Sequence, residues 1–514
     1  MSKVVSRETA AAMIQNGDTV AITGSGGGVM EPCSLYEAIE QRFLETGTPN
    51  NLTLVHSSGI GNGRGGGISR FGHEGMVRRV VGGHWGWSKP MQALVLENKI
   101  EAYNFSQGVL CHLYREIAAH RPGVITKTGK YTFVDPRISG GKLNDVTKED
   151  LVELINIGGT EYLYYKAFPI NVTIIRGTYA DELGNISFDQ EPAKLDLLAA
   201  AQAAHNSGGK VIAQVKHLVK GDSLGAKRVW IPGVYVDAVV VDPDQWQTGE
   251  GEYNPAFSGD MTIPLDALKP FPLSPRKVVA RRAFMELEKN TVINLGFGMP
   301  DGVAAVAAEE GFADQVTMTI EQGIYGGVPA QGDIFGVASN PMAVIDECAQ
   351  FDFYSGRGLD TTFLGMAQTD QLGNVNVSKF GPTIAGSGGF IDISQSAKKV
   401  VFCGTFTAGG LKEEIVDGQL HILQEGRAHK FIPNVEHITF ASRYAFEEKQ
   451  EVLYVTERAV FRLIDGKPVL IEIAPGVDLE KDILAQMDFK PEISPDLKLM
   501  DDCIFREELM GCKK

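Results

Sequence analysis

The chain has 514 residues, with 64 Asp and Glu against 48 Lys and Arg and a net charge of −16. A phosphate backbone or an anionic leaflet is repelled by that field, so nucleic-acid and membrane partners are not expected. Hydrophobic residues at 43% and charged residues at 22% are globular proportions that exclude wholesale disorder, and the length leaves room for more than one core.

From the N-terminus, Arg7 to Asn16 reads as a helix and Thr19 to Ile22 as a short strand that runs into the glycines Gly24 to Gly28. Leu195 to Asn206 reads as a helix before a strand at Lys210 to Val215, and Lys277 to Lys289 as a helix before a strand at Thr291 to Leu295 and the loop Gly296 to Gly302. Helices alternating with β-branched runs predict an α/β fold with mostly parallel sheets, in which ligands bind beyond the carboxyl ends of strands. Both glycine loops occupy that position. A Pro-rich stretch from Pro255 to Pro275 reads as a linker, which places a domain boundary near residue 275 and predicts domains 1–275 and 276–514.

The two halves share a weak duplication. Thr19-Val20 with Gly24 and Gly26 recurs as Thr291-Val292 with Gly296 and Gly298. Asp181-x-Leu183-Gly184-Asn185-Ile186 recurs as Asp370-x-Leu372-Gly373-Asn374-Val375, and Ile231-Pro232-x-Val234 as Ile432-Pro433-x-Val435. The shared order implies two related open-sheet domains in tandem, the first enlarged by an insertion over roughly residues 55 to 150.

Several familiar motifs fail. Neither glycine loop completes GxGxxG, no Gly-Lys pair precedes Ser or Thr, and His73-Glu74 lacks a partner histidine at Val77, so dinucleotide, P-loop and metalloprotease chemistries are disfavoured. No GxSxG elbow occurs; Asn104-Phe105-Ser106-Gln107-Gly108 comes nearest. The ten histidines show no metal-ligand spacing and read as surface or satisfied core residues. The six cysteines lie far apart with no CxxC pair and no leader-like start, so reduced thiols and a cytoplasmic location are expected. The longest uncharged apolar stretches, such as Val400 to Leu411, are too short for a membrane span.

Two segments point to chemistry. Val316 to Ile320 alternates as a strand does and stops at Glu321, followed by Gln322 and Gly323, which puts a carboxylate at the mouth of the expected cleft. Gly386-Ser387-Gly388-Gly389-Phe390 joins two apolar runs with glycines able to turn backbone N–H groups towards one point, as an oxyanion requires.

With these segments the sequence resembles the family I CoA-transferases of the single-chain, short-chain acyl (propionate or acetate) type. The resemblance covers essentially the whole chain. It runs through Tyr103 to Gly108, Phe133 to Arg137 with Gly140 to Lys142, Arg176 to Asp181, Lys379 to Pro382, Gly386 to Phe390, Phe402 to Leu411 and Ile473 to Gly476. It implies tandem CoA-transferase domains, the second carrying the nucleophile Glu321. It also implies reversible CoA transfer from a short-chain acyl-CoA to an acid such as acetate or propionate, by a ping-pong route through a glutamyl-CoA thioester. An acetoacetate or 3-oxoacid CoA-transferase and an acyl-CoA hydrolase on the same scaffold are the alternatives; a catalytically silent acyl-CoA sensor would need neither nucleophile nor oxyanion hole. The oxyanion donors would be the Gly388 and Gly389 N–H groups and the Gln107 amide. Gly365, Met366, Gly386, Phe390 and Phe406 would contact CoA, which enters as a substrate, with no permanently bound cofactor and no metal. Ile324 and Tyr325 are expected to narrow the acyl pocket. A homotetramer or other homo-oligomer is implied.

Overall fold

The computed structural model describes residues 2–221, 223–264, 271–330 and 332–513. It divides into two compact units, and the division is not a single cut of the chain. Met1–Ile263, Ile320–Asp352 and Gly381–Asp392 form the first; Pro264–Thr319, Phe353–Phe380 and Ile393–Lys514 form the second.

In the first unit a sheet is built in the strand order Ala238–Val241, Lys210–Val219, Val172–Asp181, Thr19–Ile22, Leu52–His56, Val77–Gly82 and Glu101–Asn104. Every neighbouring pair in that row is parallel. Parallel strands covered on both faces should read as near-continuous apolar runs, and they do. Leu52–His56 is buried at every position, and Val211, Ile212, Ala213 and Val215 follow one another inside Lys210–Val219. Residues 123–126, 152–157 and 160–166 form a separate three-stranded antiparallel sheet.

In the second unit the order is Val316–Ile320, Thr291–Leu295, Thr361–Gly365, Lys399–Cys403 and Glu451–Val455, again all parallel. Ala459–Ile464 and Lys467–Ile473 then add antiparallel neighbours, and Glu492–Leu499 closes the row. These five parallel strands repeat the sequence of connections of Leu52–His56, Thr19–Ile22, Val172–Asp181, Lys210–Val219 and Ala238–Val241. The duplication therefore survives as topology.

It also survives atom by atom. Asp181 Oδ1 accepts from the N–H groups of Leu183 and Asn185, both at 2.9 Å, and Oδ2 accepts from Asn185 Nδ2 at 2.8 Å. Asp370 Oδ1 accepts from Leu372 and Asn374 N–H, both at 3.0 Å, and Oδ2 from Asn374 Nδ2 at 3.0 Å. Each is an aspartate folding a tight turn around its own carboxylate, with glycine at the left-handed position, φ +86° at Gly184 and +81° at Gly373.

The strands Thr19–Ile22 and Thr291–Leu295 lie where the sequence places them. The helices are shorter or shifted. Arg7–Ala12 stops before Asn16 because Met13 and Ile14 close a tighter turn onto Ala10 and Ala11, and Gly17 then takes φ +80°. Pro275–Phe284 begins two residues early, since Ser274 caps it by accepting from Lys277 N–H and Pro275 needs no donor in the first turn. The segment read as a linker holds a short helix, Pro255–Ser258, and its residues 265–270 lie outside the described residues. No described helix is long and apolar enough to cross a membrane.

Glu31 is buried beside the first sheet, where Oε1 accepts from Gly61 N–H at 2.7 Å. Burial pushes its pKa up to about 7, against the pull of that N–H and of Arg176. The folded state thus keeps its proton at pH values where the unfolded chain has lost it, so stability falls as pH rises from about 4.5 through about 7. Glu31→Gln, a neutral isostere, should match the parent in urea midpoint at pH 5. At pH 8 it should exceed the parent by up to about 3 kcal/mol, and equal midpoints at pH 8 would contradict the assignment.

Candidate active site

Glu321 is half-buried in the turn that ends Val316–Ile320. That turn closes through Gly323 N–H to Ile320 O at 3.1 Å and is held by Ile345 N–H to Gly323 O at 2.8 Å. Gly323 has φ +94°, and a Cβ there would lie 2.3 Å from Ile345 O, so only glycine fits. Gln322 is buried, and its Nε2 faces Ser25 Oγ at 3.4 Å. Ile324 packs against Ile320 and Ala338 in a small core, and Tyr325 is half-buried.

The glycine run Gly386 to Gly389 lies against the end of Val77–Gly82. Trp85 and Gly86 N–H donate to Ala385 O at 2.7 and 3.0 Å, and Gly388 N–H donates to Gly83 O at 2.8 Å. Asn104 clamps both sides: Nδ2 donates to Gly82 O at 2.9 Å and Gly83 O at 2.6 Å, while Oδ1 accepts from Ser387 N–H at 3.0 Å. Gly388 O in turn accepts from Gln107 N–H at 2.9 Å. The expectation gave Gly388 and Gly389 one task, and the structure separates them. Gly388 N–H is spent on Gly83, whereas Gly389 N–H meets no acceptor among the described residues.

Gln107 opens the helix Gln107–Ala118. Asp392 caps that helix by accepting from Ser106 Oγ and from Gly108 N–H at 3.1 Å. Burial raises the Asp392 pKa to about 6, against those two donors. The Gln107 side chain donates through Nε2 to Glu347 Oε1, and Glu347 is wholly buried at the start of Glu347–Ser355. Burial first, and then the charge of Asp196, hold the Glu347 carboxyl well above the usual range; Gln107 opposes this, while Glu321 and Asp346 add to it. Glu321 therefore lies within electrostatic reach of Glu347. Asp196 accepts from Ser57 Oγ at 2.6 Å and is pushed by burial to about 6.

Cys111, one helical turn beyond Gln107, completes a buried group in which one ligand-type atom each from Cys111, Asp196 and Glu347 lie within 4.8 Å of one another. A cation is poorly matched there. Gln107 and Ser57 already direct protons at two of the carboxylate oxygens, and Cys111 Sγ faces Asp196 Oδ2 at 3.8 Å. Sequence reasoning missed Glu347 and Asp196. Each sits at a helix start, where an acid is ordinary, and nothing local announces that the two meet. It also missed His56, whose Nε2 is buried without a partner and whose pKa burial lowers to about 4.

Gly26 and Gly59 leave room for the indole of Trp87; a Cβ at either would come within 2.7 Å of that ring. Gly24 to Gly28 thus forms a floor against an aromatic side chain in the same unit as Glu321, Gln107 and Gly386 to Phe390.

The remaining predicted contacts lie in the second unit. Gly365 ends Thr361–Gly365 with open space where a side chain would stand, and Met366 is buried beside it. Phe406 is not presented to a ligand. Its ring is wholly buried against Phe431, with centroids 4.8 Å apart, and beneath Arg458 at 5.2 Å. Its backbone N–H is bound by Glu457 at 2.9 Å. Lys430, nearly buried, crowds Gly404 and is lowered by burial to about 8.

A family model described as Coenzyme A transferase matches residues 4–242. The chain is 49% identical over 509 residues to acetate CoA-transferase YdiF of Escherichia coli (strain K12), covering 99% of this chain and 96% of that one. It is 50% identical over 520 residues to caffeate CoA-transferase of Acetobacterium woodii, covering 99% of both. The structure of acyl-CoA transferase YdiF from E. coli O157:H7 as a thioester complex with CoA superposes with TM-score 0.95 at 48% identity, covering 99% of this chain and 97% of that one.

Two glycines in the clamped run should differ sharply in tolerance. Gly386 has φ +81°, and a Cβ would meet the backbone at His84 Cα, 2.8 Å, and Trp85 N, 2.9 Å. Gly388 has φ +50° with nothing nearer than Gln107 Oε1 at 3.7 Å. Gly388→Ala should cost only the left-handed penalty of about 1–2 kcal/mol in urea unfolding. Gly386→Ala should cost clearly more, because two backbones must part, and equal midpoints for the two variants would refute the clamp.

Proposed function

Because the chain belongs to the coenzyme A transferase family, we propose that it moves CoA reversibly from a short-chain acyl-CoA to a free acid such as acetate or propionate, by a ping-pong route through Glu321. Transfer of CoA between an acyl-CoA and an acid is the family's activity; the acyl chain, the covalent route and the residue roles are this proposal. The observation that carries it is the placement of Glu321 in a glycine-closed turn at a strand's end. It shares its unit with Gln107 and with the Gly389 N–H that meets no acceptor.

A Glu321 carboxylate oxygen attacks the acyl carbon, the C–S bond breaks, and the electron pair leaves on the CoA thiolate, giving an acyl-glutamyl anhydride. The thiolate attacks the glutamyl carbonyl and expels the first carboxylate, leaving Glu321 as a CoA thioester. The acceptor carboxylate then runs the two steps in reverse. A carboxylate nucleophile suits the exchange because its acyl derivatives are as activated as the substrate's, so no step is strongly uphill and no ATP is consumed. Each attack passes through a tetrahedral oxyanion, for which Gly389 N–H and the second N–H of the Gln107 amide are the donors. The CoA contacts of this proposal are Gly386 and Phe390 in the first unit and, taken by themselves, Gly365 and Met366 in the second. The protein works as a homo-oligomer, in the cytoplasm, on CoA as a substrate rather than a resident cofactor.

With acyl-CoA and no acceptor, the enzyme should stall as the thioester, and borohydride should inactivate it by reducing Glu321; free enzyme should resist. Glu321→Ala should be inert and unlabelled, and Glu321→Asp severely impaired, because near-attack geometry tolerates little displacement. Peptide mapping that finds the reduced residue elsewhere would overturn the site.

Reciprocal plots at several acetate concentrations should be parallel, and intersecting lines would exclude the ping-pong route. CoA release without an acceptor would favour the hydrolase alternative. Rates across acetate, propionate, butyrate, acetoacetate and caffeate would test the short-chain assignment, which a preference for caffeate would sink.

A further inference from the structure

Gln107 bonds Glu347, Ser57 and Cys111 bond Asp196, and Cys111, Asp196 and Glu347 bring ligand-type atoms within 4.8 Å of one another; one atom in this buried group stands out. Glu347 is wholly buried, Oε1 accepts from Gln107 Nε2, and Oε2 makes no hydrogen bond among the described residues. A buried carboxylate with an oxygen left bare costs several kcal/mol, whereas a carboxylic acid in the same place costs far less. The charged groups that act on it most strongly are other acids. The titratable groups that face Glu347 are Asp196, Glu321 and Asp346, with Cys111 in the same cluster. The nearby cation Arg115 is taken by Asp346 at 3.1 Å and Asp352. Glu347 N–H is fixed to Leu195 O at 3.0 Å, so the backbone pins the side chain against Asp196.

We propose that Glu347 is a positioning residue for the transfer reaction: as a neutral carboxylic acid it holds the Gln107 amide by one N–H and keeps a second negative charge away from Glu321. The inference rests on the reading of Glu321 as nucleophile and Gln107 as oxyanion donor. An amide nitrogen carries two hydrogens. Glu347 takes one and thereby fixes the plane of the amide, which orients the other. A neutral Glu347 also matters for Glu321 itself. A charge on Glu347 would act on the Glu321 carboxylate as a like charge, and a neutral Glu347 removes that repulsion. Burial and the neighbouring acids favour the proton on Glu347, so its contribution is present at neutral pH and lost as pH rises through its raised pKa.

The test compares Glu347→Gln, Glu347→Ala, Gln107→Ala and the Glu347→Ala/Gln107→Ala double variant, each checked for folding by circular dichroism. Rates are read across pH 6 to 10 and Glu321 labelling by borohydride. Glu347→Gln keeps the acceptor and the neutral charge, so it should stay within about tenfold of the parent and lose the parent's alkaline decline. Glu347→Ala and Gln107→Ala should each lose about 10²–10³ in kcat, and the double variant should be no worse than either, since they act as one unit.

The proposal is overturned if Glu347→Gln is as impaired as Glu347→Ala, if it keeps the parent's alkaline limb, or if the losses multiply. Should Glu347→Ala fail to fold, the rate and pH profile of Glu347→Gln decide alone. Labelling separates the two levels of the argument. Absence of Glu321 labelling in the parent enzyme sinks the nucleophile and with it this role, whereas normal labelling with an unchanged pH profile in Glu347→Gln sinks the role alone.

Discussion

The first unit depends on a contact between two backbones with no side chains between them. Residues 82–86 and 384–388 touch directly, and a Cβ at Gly83 would stand 1.8 Å from Ser57 O. The partners are far apart in sequence, Asn104 and Ser387 being separated by 283 positions. Closing so long a loop costs conformational entropy, which several hydrogen bonds made at once must offset. Asn104 supplies one of them, its Oδ1 accepting from Ser387 N–H while its Nδ2 holds Gly82 O and Gly83 O, and the remainder are backbone bonds that the missing side chain at Gly386 permits. Gln107 inherits its position from this contact, because its own N–H is bound to Gly388 O.

Buried charge is met in more than one way. The first unit buries Glu31, Asp196, Asp392 and Glu347, whose pKa values are raised chiefly by desolvation, and also an ion pair of Arg176 with Glu191 at 3.0 Å. Each of the four acids accepts at least one hydrogen bond. The second buries Arg458 with three carboxylates, Glu457 at 2.9 Å, Glu413 at 2.8 Å and Glu425 at 2.9 Å, where positive charge is matched by negative. A neutral acid is a reserve of protons and a weak field; a matched ion network is rigid. The proposed chemistry sits with the former.

The repeated strand order shows where the first unit departs from the second. Both units share the same five parallel strands and the same aspartate turn. The strands Val77–Gly82 and Glu101–Asn104 and the helix Gln107–Ala118 extend the first sheet beyond Leu52–His56. These elements carry Asn104, Gln107 and Cys111, the residues that receive the glycine run and the buried acids. Their sequence falls within the stretch over which the two halves cannot be aligned.

Periodicity, turn chemistry and repetition are local properties, and from them the sequence by itself determined the α/β class, the parallel sheets, the positions of Thr19–Ile22 and Thr291–Leu295, and the recurrence of the Asp181 segment at Asp370. The glutamate at a strand's end was legible for the same reason, since a strand that stops at an acid and a glycine is a local pattern. Only the tertiary structure decided that Gly388 spends its N–H on Gly83 while Gly389 does not, that Phe406 is core, and that Ile324 packs with Ile320 and Ala338. Only it brought Glu347 to Gln107 and Asp196. Those facts depend on which distant backbones come into contact and which oxygens lose water when they do, and neither close approach nor desolvation is written in the spacing of residues along a chain.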